Sequence, residues 1–334
     1  MRVCVVGAGA IGGYMAVRIA KCGHDVSVIA RGPHLAAIQA HGLKLIEGDQ
    51  ELIAEELTAT DRIADLGEQD VVLLALKAHQ IAAVVDDIPA LFGPDTVVVT
   101  LQNGIPWWYF QKLGGEYADR VVETVDPGGV LFNSIDPGRL IGCIAYPAAT
   151  ITEPGVIRHI EGVRFPVGEL DGSESERVKM VSELFTEAGY KAYILDDIRS
   201  EIWLKLWGSL TFNPISALSH STLVDICQFP LTRELAATMM TEAQTIGERL
   251  GAGFRVPMER RISGAEGVGK HKTSMLQDLE AGKPMEVDGM LGVVIELAEV
   301  TGVEVPTLKA IYAAVSLLNK TVQEEGIRVR GEPK

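Results

Sequence analysis

The sequence predicts an α/β protein: a doubly wound, mostly parallel sheet over the first part of the chain and an all-helical domain over the rest. Three observations point there. Short, nearly all-apolar runs alternate with helical patterns through the first half. A glycine-rich turn joins the first of these runs to a helix. Beyond Asp196, long segments of 3.6-residue period take over.

Arg2–Val6, Val26–Ala30, Val71–Leu76 and Thr96–Leu101 read as strands. They are apolar without alternation, as expected of strands covered by helices on both faces. Ile11–Lys21 is amphipathic and reads as the crossover helix between the first two. Val121–Phe132, Arg139–Ala145 and Gly155–Gly168 are richer in glycine and alternation, and read as further strands extending the same sheet. The predicted helices are Asp197–Leu218, Pro230–Leu250, Ser274–Glu280, Pro284–Thr301 and Pro306–Glu325. Ser263–Lys272 is the one glycine-rich, basic connection, with the composition of a mobile loop. The domains expected are therefore residues 1–196 and 197–334.

Composition narrows the function. Of 334 residues, 47% are apolar and 22% charged, as in ordinary globular proteins. A net charge of -15 argues against a nucleic-acid partner, so any anion must be held by local donors. No run approaches the roughly 18 apolar residues of a membrane span, and no secretory leader is visible. Cys4, Cys22, Cys143 and Cys227 show neither metal-ligand nor redox spacing, so no metal site is expected. They read as reduced thiols of a cytoplasmic protein.

Gly7-Ala8-Gly9-Ala10-Ile11-Gly12 is a GxGxxG between strand and helix. Gly7 permits the tight turn, Gly9 lets the backbone approach a pyrophosphate, and Gly12 allows the helix to pack on the strand. The N–H groups around Ala10 and Ile11 add donors at a helix N-terminus. This is the nucleotide cradle of a Rossmann-type domain. The second strand ends at Arg31, where NAD sites usually carry a carboxylate for the ribose hydroxyls. A cation there suits a 2′-phosphate, so the cofactor expected is NADP(H). Lys77 and Gln80 follow the third strand and are placed for the adenosine phosphate or ribose. Asn103 follows the fourth, on the nicotinamide or substrate side. Each of these three is also an ordinary turn residue.

In the helical part, Glu201, Lys205, Ser209 and Asn213 recur every four positions among Trp203, Trp207, Phe212 and other apolar residues. Each step turns about 40° around the helix, giving one narrow polar stripe. Such a stripe points either into a cleft, where a lysine serves as proton donor, or outward as an ordinary Glu201–Lys205 pair. Ser274 with Gln277 has the pattern of a capping box, and Pro284 with Glu286 suits the first turn of the following helix.

Together these residues resemble the ketopantoate reductase (2-dehydropantoate 2-reductase) family over nearly the whole chain. The resemblance runs through the GxGxxG, Arg31, Lys77-Ala78-His79-Gln80 and Asn103-Gly104. It continues through Lys205 with Asn213-Pro214, the Ser-Met-Leu-Gln-Asp run from Ser274, and Glu286. The family implies a Rossmann domain and a helical domain of the 6-phosphogluconate-dehydrogenase-like type, which carries substrate and dimer contacts. It also implies NADPH reduction of ketopantoate to D-pantoate in pantothenate biosynthesis; the homodimer expected through the helical domain rests instead on the long apolar stripes after Pro284 and Pro306. By resemblance Lys205 is the general acid and Glu286 orients substrate, lysine and cofactor. Ser274 holds the carboxylate, while Asn103, Ser209 and Asn213 line the pocket.

The chain departs from the family pattern at Ser209, where an Asn is common, and in the basic loop Lys270-His271-Lys272. These departures leave another 2-oxo acid as an alternative substrate, with Trp107, Trp108 and His271 as pocket shapers. For the two tryptophans, anchoring a loop is the more ordinary role. β-Hydroxyacid dehydrogenases share the architecture but place a Lys-x-x-Asn pair on this helix, which Lys205-Leu206-Trp207-Gly208 lacks. A non-catalytic NADP(H) sensor is the other alternative, though a sensor has no need of Lys205 and Glu286.

Overall fold

The structure is a computed structural model that describes residues 1–326, apart from the side chains of Ala78 and His79. Residues 327–334 of the expected second domain lie outside it. The chain divides into two compact units, one of residues 1–121 and 126–198, the other of residues 122–125 and from Arg199 onward. A single linear boundary after Asp196 did not anticipate the return of residues 122–125. That segment is pinned to its own unit by Glu296, whose carboxylate accepts the Glu123 and Thr124 N–H groups at 2.8 and 2.7 Å.

The first unit runs β1 (Arg2–Val6), α1 (Ala10–Lys21), β2 (Asp25–Ile29), α2 (Gly32–His41), β3 (Leu43–Glu47), β4 (Gln50–Ala54), β5 (Thr58–Thr60) and β6 (Gln69–Leu74). It continues with α3 (Ala78–Ile81), β7 (Phe92–Thr100), α4 (Val130–Ser134), β8 (Leu140–Cys143), β9 (Ala148–Glu153), β10 (Val156–Glu161), β11 (Val167–Glu169) and α5 (Glu176–Glu187). The main sheet has the order β5-β2-β1-β6-β7-β8-β11, parallel except for β11. Its centre is apolar on both faces, with Val3, Val5, Val71, Leu73 and Val99 fully buried on one and Cys4, Val72, Leu74 and Val98 on the other. The chain moves outward from β1 to β2 and β5, then returns to β6 on the other side. The carboxyl edge between β1 and β6 is thus the switch point where open α/β sheets hold ligands.

A second sheet was not foreseen. Its order is β4-β3-β10-β9, and it packs on the opposite side of α1 from the main sheet. The expected strand Gly155–Gly168 therefore splits. Its first part joins this second sheet, and only its end, in β11, extends the main one. Helix α1 is squeezed from both sides. A Cβ on Gly12 would strike the Gly7 carbonyl and come within 2.8 Å of Ala75, while one on Gly13 would lie 2.8 Å from Ile157. Tyr14 stacks on His159 of β10 with ring centroids 4.6 Å apart.

The strand expected over Val121–Phe132 is absent. Pro127 withholds a ladder donor, Gly128 and Gly129 turn at φ 72 and 68, and Asp126 accepts the Leu131 and Phe132 N–H groups to start α4. Cys4, Cys143 and Cys227 are buried and in no disulfide, and burial pushes Cys4 up to about 12 and Cys227 to about 11.

The second unit is helical: α6 (Ile198–Ser219), α7 (Leu223–Gln228), α8 (Pro230–Arg249), α9 (Met258–Gly267), α10 (Ser274–Glu280), α11 (Val293–Thr301) and α12 (Pro306–Glu325). Helix α9 reaches Gly267, so only the remainder of the expected loop Ser263–Lys272 is irregular. The helix expected from Pro284 begins later, because residues 283–286 are irregular and a π turn over Asp288–Gly292 precedes α11. Among the described residues no helix is long and apolar enough to cross a membrane.

Candidate active site

Four sequence-predicted cofactor residues meet in the first unit. Gly7, Gly9, Arg31 and Gln80 line one cavity of about 400 Å³ at the carboxyl edge, together with Ala8, His34, Leu76, Val84 and Ile151. Gly7 has φ 108, the left-handed geometry that the turn needs. Gly7 and Gly12 are demanded by the protein itself, since a Cβ on either meets neighbouring atoms. Gly9 is different. A Cβ there would meet nothing within 4 Å, and its backbone is ordinary. The space left beside it fits a group from outside the chain, as a pyrophosphate cradle requires. Ala10 and Ile11 open α1, where the first N–H groups have no intrahelical acceptor.

Arg31 is the exposed N-cap residue of α2, which brings it and the α2 N-terminus to the cavity wall. Gln80 Oε1 accepts the Lys77 N–H at 3.2 Å, a local role that shapes the turn after β6. Gln102 Nε2 donates to the carbonyls of Leu74 and Leu76, at 2.7 and 3.3 Å, and ties the ends of β6 and β7 together. Asn103 stands exposed just beyond. One residue at this site escaped the sequence reading: His34, which no motif marks.

Trp107 and Trp108 are buried, and Trp108 Nε1 donates to Thr100 Oγ1 at 2.9 Å. They anchor the loop after β7 and do not line the cavity. His271 is held through its backbone, its carbonyl accepting the Leu223 N–H of α7 at 3.0 Å.

In the second unit, α6 is nearly buried. Trp203 and Trp207 pack around Phe254, and Trp207 Nε1 donates to Met240 O of α8 at 2.7 Å. The polar stripe is no solvated face: Glu201 is 0% and Asn213 8% exposed, and Lys205 and Ser209 are half-buried. The Glu201 carboxylate forms an ion pair with Arg255 at 2.6 Å. Gly208, on the same face, makes room for the Arg261 guanidinium against the helix.

Asn213 and Ser274 come together, with Asn213 Nδ2 donating to Ser274 Oγ at 3.4 Å and lying 3.5 Å from Met290 Sδ of the π turn. The capping expected of Ser274 belongs instead to Thr273, whose side chain accepts the Leu276 N–H. Ser274 is the first helical residue, which frees its hydroxyl for another role. Ser209 Oγ donates to the Lys205 carbonyl at 3.4 Å, so its proton serves its own helix. Glu286 lies half-buried just ahead of the π turn, a helix irregularity common at functional sites. Among the described residues no three His, Cys, Asp or Glu side chains are grouped to hold a metal.

Residues 3–172 match the family model described as Ketopantoate reductase PanE/ApbA, and residues 197–319 match the C-terminal model of the same family. The chain belongs to the ketopantoate reductase family. A 2-dehydropantoate 2-reductase of Mesorhizobium japonicum is 51% identical over 319 residues, 95% of this chain and 98% of that one. A crystal structure from Ralstonia solanacearum MolK2, provisionally named a ketopantoate reductase, aligns with a TM-score of 0.92 at 37% identity. It covers 96% of this chain and 98% of that one. The 2-dehydropantoate 2-reductase structure from Methylococcus capsulatus aligns with a TM-score of 0.81 at 28% identity, over 96% of this chain and 98% of that one. Membership in the ketopantoate reductase family makes the chain an oxidoreductase with a nicotinamide cofactor.

Proposed function

We propose that the chain reduces ketopantoate to D-pantoate with NADPH. The observation that carries this reading is the 51% identity to a 2-dehydropantoate 2-reductase over almost the full length of both chains. NADPH, when bound, supplies the hydride to the ketone carbon.

The chain's own residues do the rest. Gly7 and Gly9 with the α1 N-terminus hold the pyrophosphate, Arg31 pairs with the 2′-phosphate, and Lys77 and Gln80 flank the adenosine. Lys205 gives a proton from Nζ to the ketone oxygen as negative charge builds there, and its cationic form stabilises that charge beforehand. Glu286 accepts hydrogen bonds from the substrate hydroxyl and the Lys205 ammonium. The Ser274 oxygen already accepts from Asn213, so its O–H proton is free to bind the substrate carboxylate. Asn103 serves the nicotinamide side. Ser209, its proton used within α6, is limited to accepting.

The test follows NADPH absorbance with purified protein and a panel of 2-oxo acids. Turnover of ketopantoate with a clear kcat/KM advantage is the expected result. Preferential turnover of another 2-oxo acid overturns the substrate assignment, and cofactor binding without any turnover overturns catalysis. A homodimer belongs to the same proposal, checked by light scattering of the purified chain, and so does a cytoplasmic location, checked by cell fractionation.

A further inference from the structure

His34 lies three residues beyond Arg31 on α2 and lines the same cavity as Gly7, Gly9 and Arg31. Its Nδ1 accepts the Gly155 N–H at 3.0 Å. A ring nitrogen that accepts carries no proton, so the neutral imidazole holds its proton on Nε2. Nε2 therefore donates to the Ala8 carbonyl, 2.7 Å away. On its other side Ala8 donates its N–H to Ile29 O at 3.0 Å. Both peptide groups flanking Ala8 are thus held, one by β2 and one by His34. Gly155 sits at φ 77 between β9 and β10, and its carbonyl accepts from Lys44 N of β3 at 2.9 Å. Ile151 of β9, 43% exposed, forms part of the cavity wall.

We propose that His34 is a positioning residue of the nucleotide site, holding the Ala8–Gly9 peptide in its anion-binding orientation and linking it to the β9–β10 turn. The proposal rests on the dinucleotide reading above. A peptide is planar and trans, so its C=O and N–H point in opposite directions. Holding the Ala8 carbonyl therefore sets the direction of the Gly9 N–H, a donor at the head of α1. Without His34 that peptide loses its own restraint, held only through the Ala8 N–H and the Gly9 carbonyl on either side, and the entropy of ordering it must be met when a phosphate binds. Glutamine is the conservative replacement, because its amide carries one acceptor and one donor on a single carbon, as the imidazole does. Phenylalanine keeps a ring and loses both bonds.

The experiment is calorimetric titration of adenosine 2′,5′-bisphosphate and of 5′-AMP into wild type, His34→Gln and His34→Phe. His34→Phe is expected to weaken both nucleotides about tenfold, the effect of one lost orienting hydrogen bond, and His34→Gln to stay within about threefold of wild type. At saturating NADPH, kcat of His34→Phe is expected to match wild type while its KM for NADPH rises. Nitrogen-15 NMR of the wild type is expected to show His34 protonated at Nε2 and bare at Nδ1. Wild-type affinity in a folded His34→Phe, failure of His34→Gln to restore binding, or the opposite tautomer overturns the proposal. A wild type that binds neither nucleotide overturns the dinucleotide reading and this inference together. Equal binding of the two by the wild type removes only the 2′-phosphate assignment, because the His34 comparison still runs on 5′-AMP.

Discussion

Lys205 sits half-buried on a helix whose neighbours are tryptophan, leucine and isoleucine. Two readings of its stripe were open from spacing alone. Glu201 is fully buried and pairs with Arg255, so its end of the stripe does not face solvent. General acid catalysis by a positioned side chain contributes about 10²–10⁴-fold. Lys205→Ala is accordingly expected to lower kcat with ketopantoate by that factor. NADPH affinity should stay within about twofold in a fluorescence titration, a shift well under 1 kcal/mol. A variant keeping most of its kcat removes Lys205 from the proton-donor role.

At the scale of elements, the three motif glycines do different things, and the structure separates them. Gly12 is required by packing between α1 and β1. Gly12→Ala should therefore destabilise the ligand-free protein by roughly 1–3 kcal/mol in chemical denaturation, as overpacking does. Gly9 has open space beside it and a backbone that alanine adopts freely. Gly9→Ala should leave ligand-free stability unchanged and weaken dinucleotide binding by about tenfold or more, through obstruction of the pyrophosphate. Equal loss of stability in the two variants would mean that Gly9, too, serves only packing.

The same contrast explains what the sequence disclosed. Strand, turn and helix of the cradle are encoded within a few residues of one another, and so were legible. The second sheet depends on β3 pairing in parallel with β10, Lys44 beside Val156, and no local pattern announces a partner so distant. Its hairpins hid for the same reason, although Gly48-Asp49 and Pro154-Gly155 mark their turns. At α10 the error was one residue: Thr273 and Ser274 can each cap a helix, and only the register decides which hydroxyl is released. His34 left no trace, because its partners Ala8 and Gly155 offer backbone atoms, which any residue has.

For the whole molecule, the net charge of -15 sets a condition on cofactor choice. A phosphorylated dinucleotide meets an unfavourable long-range field, so discrimination between NADPH and NADH must come from contacts at the 2′ position. Arg31 is a cation in the cavity wall, and the proposal assigns it that contact. Ligand binding to the native state raises stability by about 2.7 kcal/mol at a hundredfold excess over Kd, so the melting temperature reads affinity directly. Wild type is expected to melt higher with NADPH than with the same concentration of NADH. In Arg31→Ala the NADPH shift should fall to the NADH value, because a charge-assisted pair with phosphate is worth about 1.5–3 kcal/mol and only the 2′-phosphate distinguishes the two ligands. The NADH shift should stay the same in both proteins. Loss of both shifts together would mean that Arg31 supports the fold of the site as a whole, and persistence of the NADPH advantage would place the 2′-phosphate on another donor.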